Sequence, residues 1–125
     1  MSESFAGYFR DYALAFDAFD PERIACFFHL PCLMVDRGGA AVLTTRDQLL
    51  ENMRAVLEHH RQQGYARAAV CEIEAHRQAA SLATAQLRWR ILREDDSPLW
   101  DWRNSYQLVD YGEGWKIAVS TTHAE

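Results

Sequence analysis

One stretch constrains this chain more than any other: Phe27-Phe28-His29-Leu30-Pro31-Cys32-Leu33-Met34-Val35-Asp36. A helical pattern runs into it and a sheet pattern runs out of it. Pro31 stops any helix there, because an interior proline removes a backbone donor and clashes with the preceding turn. Leu30 before it is pushed toward extended geometry for the related steric reason. Cys32 to Val35 is a strand-sized apolar run, and Arg37-Gly38-Gly39 closes it with a turn. The fold therefore has helices before this point and a sheet growing after it. The run ends in an acid, Asp36, and what that carboxylate faces is the main functional question.

Upstream, Phe5, Phe9, Tyr12, Phe16 and Phe19 recur at spacings of four, three, four and three. That stripe predicts a helix from about Glu3 to Phe19 with Tyr12 directed inward. Asp20-Pro21 supplies an N-cap acid and a proline at the first helical position. A short second helix is expected to reach about Phe28. Downstream, Gly38-Gly39 permits a reversal into a brief strand from Ala40 to Leu43. Thr45-Arg46-Asp47-Gln48 fits a capping box opening a third helix, with Leu49, Met53, Val56 and His60 on one face. Gly64 is its natural stop. His59, His60 and Arg61 fall in the last turn, where positive charge suits the helix dipole.

From Ala66 the period falls to two. Val70 to His76 reads as a strand and Gln78 to Ser81 as a turn. Ala83 to Arg93 puts Leu87, Trp89 and Ile91 on one face. Glu94 to Pro98 is a charged hairpin turn. Leu99 to Asp110 puts Trp100, Trp102, Asn104, Tyr106 and Leu108 on one face. After Tyr111-Gly112-Glu113-Gly114, an inward face of Trp115, Ile117, Val119 and Thr121 closes the chain. Helices first and long antiparallel strands after is an α+β order. The strands should curl around helix 1 and leave a cavity between sheet and helices. A length of 125 residues predicts one domain spanning 1–125, large enough for a core.

The formal net charge of −5 argues against nucleic acid as partner, since a phosphate backbone needs a concentrated basic surface. Arg88, Arg90 and Arg93 form the longest basic cluster and read as a solvated strand face, with an anion site as the rarer alternative. Cys26, Cys32 and Cys71 make an odd count without metal-ligand spacing, so they read as small buried hydrophobes rather than a disulfide framework or a zinc site. The start of the chain lacks signal-peptide character, and no run approaches the ~20 apolar residues of a membrane span. The expectation is a cytoplasmic protein with no membrane segment. Nothing in the sequence spells a phosphate loop, a Ser-His-Asp order or metal-ligand spacing, so no metal or nucleotide cofactor is expected.

The aromatic first helix ending in Phe19-Asp20-Pro21, then Ile24-Ala25-Cys26-Phe27-Phe28, then the capped helix from Thr45, then Gly114-Trp115-Lys116-Ile117 form an ordered set. In that order they resemble the NTF2-like superfamily, also called SnoaL-like, over nearly the whole chain. The resemblance implies a cone-shaped, cystatin-like fold: three N-terminal helices packed on a strongly curved antiparallel β-sheet enclosing one deep pocket. It also implies frequent homodimers through the sheet. It does not imply one function, since the scaffold serves isomerases, cyclases, dehydratases and non-catalytic binding modules.

Some members, the ketosteroid isomerases, hold an oxyanion with a helix 1 tyrosine and an acid, and use a second acid as base. Aligned on Asp20 and Phe28, the resemblance puts Tyr12 near the tyrosine position and Asp36 near the base. At the third position the nearest residue is Asn104, an amide where that group has an acid. Each residue has a plainer reading as well. Tyr12 is a core tyrosine, Asp36 starts a turn, and His29 is a structural histidine rather than a proton carrier. Asn104 lies on an otherwise apolar face, as a pocket group or as part of a core network. Met34, Trp89, Trp100, Trp102, Tyr106 and Trp115 are the candidate ligand wall, packing alone being the alternative.

Three functional readings follow. One is a domain binding a small, largely apolar molecule. Another is a cofactor-free isomerase, cyclase or dehydratase with Asp36 or His29 as proton carrier and Tyr12 and Asn104 as donors. The third is a dimerising interaction module without ligand. A homodimer through the outer sheet face is expected, from the resemblance and from apolar residues such as Val70, Leu92 and Ala118 emerging on both sheet faces.

Overall fold

A computed structural model describes residues 5–123 of the chain. Helix α1 spans Phe5–Asp17, α2 Pro21–Ala25 and α3 Arg46–Gln63. The strands are β1 Phe28–Asp36, β2 Gly39–Leu43, β3 Arg67–Ala79, β4 Leu82–Leu92, β5 Pro98–Val109 and β6 Lys116–Thr122. They form one curved six-stranded sheet in the order β2-β1-β6-β5-β4-β3. The helices pack on it, α1 against β3 and α2 against α3.

The helix ends follow local chemistry. The Asp20 carboxylate accepts the Arg23 amide at 3.1 Å, and Pro21 fills the first turn of α2. Both halves of the Thr45–Gln48 capping box are made. At the far end of α3, Gly64 adopts φ 96°, a left-handed cap. α1 stops at Asp17 instead of Phe19, because Phe19 itself turns left-handed at φ 53°. That conformation costs a non-glycine residue roughly 1 kcal/mol, and the Phe19 ring meets Tyr65 edge-on at 5.4 Å. The expected start of this helix at Glu3 lies outside the described residues. α2 is shorter than expected, since Phe28 already belongs to the sheet.

β1 begins at Phe28 rather than Cys32 and carries Pro31 within it. The proline is tolerated because the pairing with β6 breaks between Phe28 and Leu33 and the pairing with β2 starts only at Cys32. No ladder bond there needs the missing donor. β3 to β6 pair antiparallel throughout, as expected, but β1 pairs parallel with β6.

The aromatic stripe of α1 meets the inner faces of β4 and β5, Tyr12 against Trp89 and Phe9 against Tyr106. Phe9 is fully buried, 4.8 Å from the Tyr106 ring. Leu87, Leu108 and Ile117 are completely covered beneath it. The alternation on β4 and β5 places the expected residues inward.

On β6 it does not. Leu108 pairs with Ile117 but Gln107 pairs with Val119, so Ala118 is an extra residue in the ladder. Parity flips after it: Ser120 and Thr122 line the inner cavity, and the expected inward residues Val119 and Thr121 do not. A second bulge leaves Cys71 unpaired between Val70 and Glu72. Cys71 is exposed, as is Cys26, so only Cys32 is the buried hydrophobe that all three cysteines were expected to be.

Candidate functional site

Between the sheet and helices α1 and α3 lies a cavity of about 220 Å³. Its walls come from distant parts of the chain. α1 contributes Tyr12, Ala13 and Phe16. β1 contributes Met34, and β4 and β5 contribute Trp89, Trp102, Asn104 and Tyr106. The lining is mainly apolar with a few polar groups, the usual make-up of a ligand site.

Of the expected site residues, Tyr12, Met34, Asp36, Trp89, Trp102, Asn104 and Tyr106 come together around this cavity, and His29, Trp100 and Trp115 do not. Trp100 stacks on Trp102 at 5.1 Å and on His59 at 5.9 Å. Trp115 packs edge-on against Phe5 at 5.4 Å, with the Arg77 guanidinium over its ring. His29 lies in a separate hollow with Tyr111, Glu113 and Lys116, its Nδ1 3.0 Å from the Pro31 carbonyl oxygen. Strand parity explains it: Phe28 faces the core, so His29 faces away.

Asp36 reaches only the rim. Its side chain is exposed, and Oδ1 accepts the Gly38 amide at 2.7 Å and the Gly39 amide at 3.1 Å. Of its two sequence readings, a base facing the pocket and the start of a turn, its hydrogen bonds are those of the turn: it closes β1–β2, the role in which Asp is favoured by its reach back to nearby amides.

Inside, the polar groups are neutral. Tyr12 sits in a cage of aromatic rings, with Phe9, Phe16, Phe27 and Trp89 within 6.2 Å. Burial pushes its hydroxyl, and that of Tyr106, well above the ordinary range, so both stay protonated. The Tyr106 hydroxyl accepts the Trp89 indole N–H at 3.0 Å. Tyr65 donates to the Asp17 carboxylate at 2.7 Å, and burial first, then that bond, raises its pKa. Burial likewise pushes the Cys32 thiol up to about 11.

Two buried side-chain atoms have no hydrogen-bond partner among the described residues: Asn104 Oδ1 and His60 Nδ1. The Asn104 amide donates through Nδ2 to Thr122 Oγ1 at 3.3 Å, which leaves its oxygen open. His60 stacks on Tyr65 at 5.1 Å, and burial first, then the neighbouring His59, lowers its pKa to about 4. It is a neutral imidazole at physiological pH.

Sequence reasoning missed His60, Tyr65, Asn52, Ser120 and Thr122 as lining residues. For His60 the signal was present, since it continues the Leu49-Met53-Val56 face of α3. Its place in the last turn of α3, where a cation suits the helix dipole, masked it. Ser120 and Thr122 were hidden by the bulge. Among the described residues, no group of three or more His, Cys, Asp or Glu side chains is placed to hold a metal ion, and no helix is long and apolar enough to cross a membrane.

Helices laid across a curved sheet, with a mainly apolar, partly open cavity between them, define a cone-shaped α+β domain. The chain belongs to the NTF2-like protein family DUF6841, whose sequence profile matches residues 2–125. Solved structures agree on the fold. A Nostoc punctiforme protein of unknown function with a cystatin-like fold superposes with TM-score 0.78 at 13% identity, over 97% of this chain and 88% of that one. An NTF2-like protein with a cystatin-like fold from Novosphingobium aromaticivorans gives 0.77 at 12% identity, over 95% and 78%. A Mycobacterium tuberculosis protein of unknown function gives 0.76 at 14% identity, over 97% and 69%. No curated protein matches the chain. At these identities the likeness is one of fold.

Proposed function

We propose that this domain binds a small, uncharged, largely apolar molecule in its central cavity. The observation that carries the reading is the cavity itself: about 220 Å³, walled by aromatic rings, with hydroxyl, amide and neutral imidazole groups among them. The volume lies below the roughly 300–1,000 Å³ of sites for drug-sized ligands. It exceeds the roughly 150 Å³ in which an engineered apolar cavity holds benzene. A one- or two-ring molecule fits those bounds. Among the described lining residues the only formal charge at neutral pH is Asp36, at the rim. An ion taken inside would lose its hydration without compensation.

The proton-transfer alternative is weaker. Asp36 is engaged in a turn, and His29 belongs to another hollow. Tyr12 and Asn104 remain as polar contacts for a bound molecule.

Titration with a library of neutral aromatic fragments, followed by NMR shifts of the Trp89 and Trp102 indole groups, tests the proposal. Saturable shifts are expected, and Val56→Trp, which fills the cavity from α3, should abolish them while keeping the circular dichroism spectrum. Absence of saturable binding across the library would refute it.

Homodimerisation and cytoplasmic residence are further parts of the proposal. The outer face of β3–β5 carries Glu72, Arg88, Arg90, Asp101 and Arg103 in one ion-paired array. Val70, by contrast, packs toward the core. A patch of both signs can pair with itself across a two-fold axis, so a dimer through this face would weaken in salt. Light scattering at low and high salt reads that directly. The three unpaired cysteines suit a reducing compartment.

A further inference from the structure

Asn104 sits on β5 between Trp102 and Tyr106, at 8% exposure. Buried side-chain polar atoms nearly always have a partner, and an acceptor left without one costs stability. The amide nitrogen of Asn104 is engaged with Thr122, 3.3 Å away. The Trp89 indole N–H is committed to the Tyr106 hydroxyl at 3.0 Å, and the Asn104 side chain reaches that same hydroxyl as a hydrogen-bond partner. Asn104 Oδ1 lacks a partner among the described residues and belongs to a residue lining the cavity.

We infer that the molecule held in the cavity carries an N–H or O–H group that donates to Asn104 Oδ1, and no formal charge. The inference rests on the cavity-binding reading above and narrows it to one chemical class: flat, neutral, one- or two-ring donors. The same geometry disfavours an oxyanion at this position, because the open atom is an acceptor and an anion there would face it. The second unpartnered atom, His60 Nδ1, adds a polar contact on the α3 side without adding charge, since its ring is neutral.

Three bicyclic probes of nearly equal shape separate the possibilities. Indole has an N–H donor, indene has no polar atom, and benzofuran has only an acceptor. Calorimetric titration of the full chain should give indole roughly tenfold tighter binding than either of the others, as expected for one hydrogen bond to an otherwise unsatisfied buried group. Indole-5-carboxylate should bind worst. In Asn104→Leu, which keeps the volume but removes the acceptor, the indole preference should vanish while indene still binds. That variant should also melt at a higher temperature without ligand, whereas a purely structural Asn104 would make it melt lower.

Equal affinity for all three neutral probes would overturn the donor inference and leave the cavity reading intact. Tightest binding of the carboxylate would overturn the neutral-ligand requirement. No binding of any probe would remove both. The comparison of indole with indene on the unaltered chain decides the matter even if Asn104→Leu does not fold.

Discussion

His60 should make this fold sensitive to mild acid. In the folded chain its ring is stacked on Tyr65 and lies near Phe16 and Trp100. Its pKa there is about 4, against about 6.5 for a free histidine. Folding therefore favours the neutral ring, and the unfolded chain binds the extra proton first. The stability this represents is whole above about pH 6.5 and is lost as pH falls toward about 4. Complete linkage over that interval corresponds to about 3.4 kcal/mol. The ring is only partly buried, so solvent screening reduces the expected loss to about 1–2 kcal/mol. The assay is urea unfolding of the chain and of His60→Phe at pH 7 and pH 4.5, read by circular dichroism. Phenylalanine keeps the stack on Tyr65 and removes the titrating group. Carboxylates titrate alike in both proteins, so the native chain should lose about 1–2 kcal/mol more than the variant between the two pH values. Losses equal within about 0.3 kcal/mol, the usual scatter of independent effects, would refute the reasoning.

Other perturbations test the frame around the cavity. Leu87→Ala, at a fully covered position on β4, should cost about 3–4 kcal/mol in chemical denaturation, and a loss below about 1 kcal/mol would mean the site collapses freely. Gly64→Ala meets no neighbouring atom within 4 Å but must hold φ 96°. Its cost, about 1 kcal/mol, should be purely one of backbone conformation. Thr45→Ala removes the acceptor of the Gln48 amide, 3.2 Å away, and should lower stability by about 1 kcal/mol without changing ligand affinity. Arg88→Ala should lower the melting temperature at low salt, with the difference shrinking at high salt as the outer ion array is screened.

Sequence alone determined the parts whose causes are local. The order of helices and strands follows from where the period changes from 3.6 to 2. The caps at Asp20, Thr45 and Gly64 follow from side-chain reach and from glycine's freedom at positive φ. The inward faces of α1, β4 and β5 follow from periodicity, and they already assembled Tyr12, Trp89, Trp102, Asn104 and Tyr106 on one side. Tertiary structure decided what depends on one inserted residue or on a distant neighbour. A single extra residue at Ala118 reverses every later side chain on β6 and leaves no mark in the alternating pattern. The parallel match of β1 to β6 joins segments about ninety residues apart in the chain. Whether Asp36 faces the cavity or the turn depends on two amides competing for one carboxylate. The neutrality of His60 comes from rings supplied by α1, β5 and the segment after α3, because desolvation is a property of the surroundings and not of the residue.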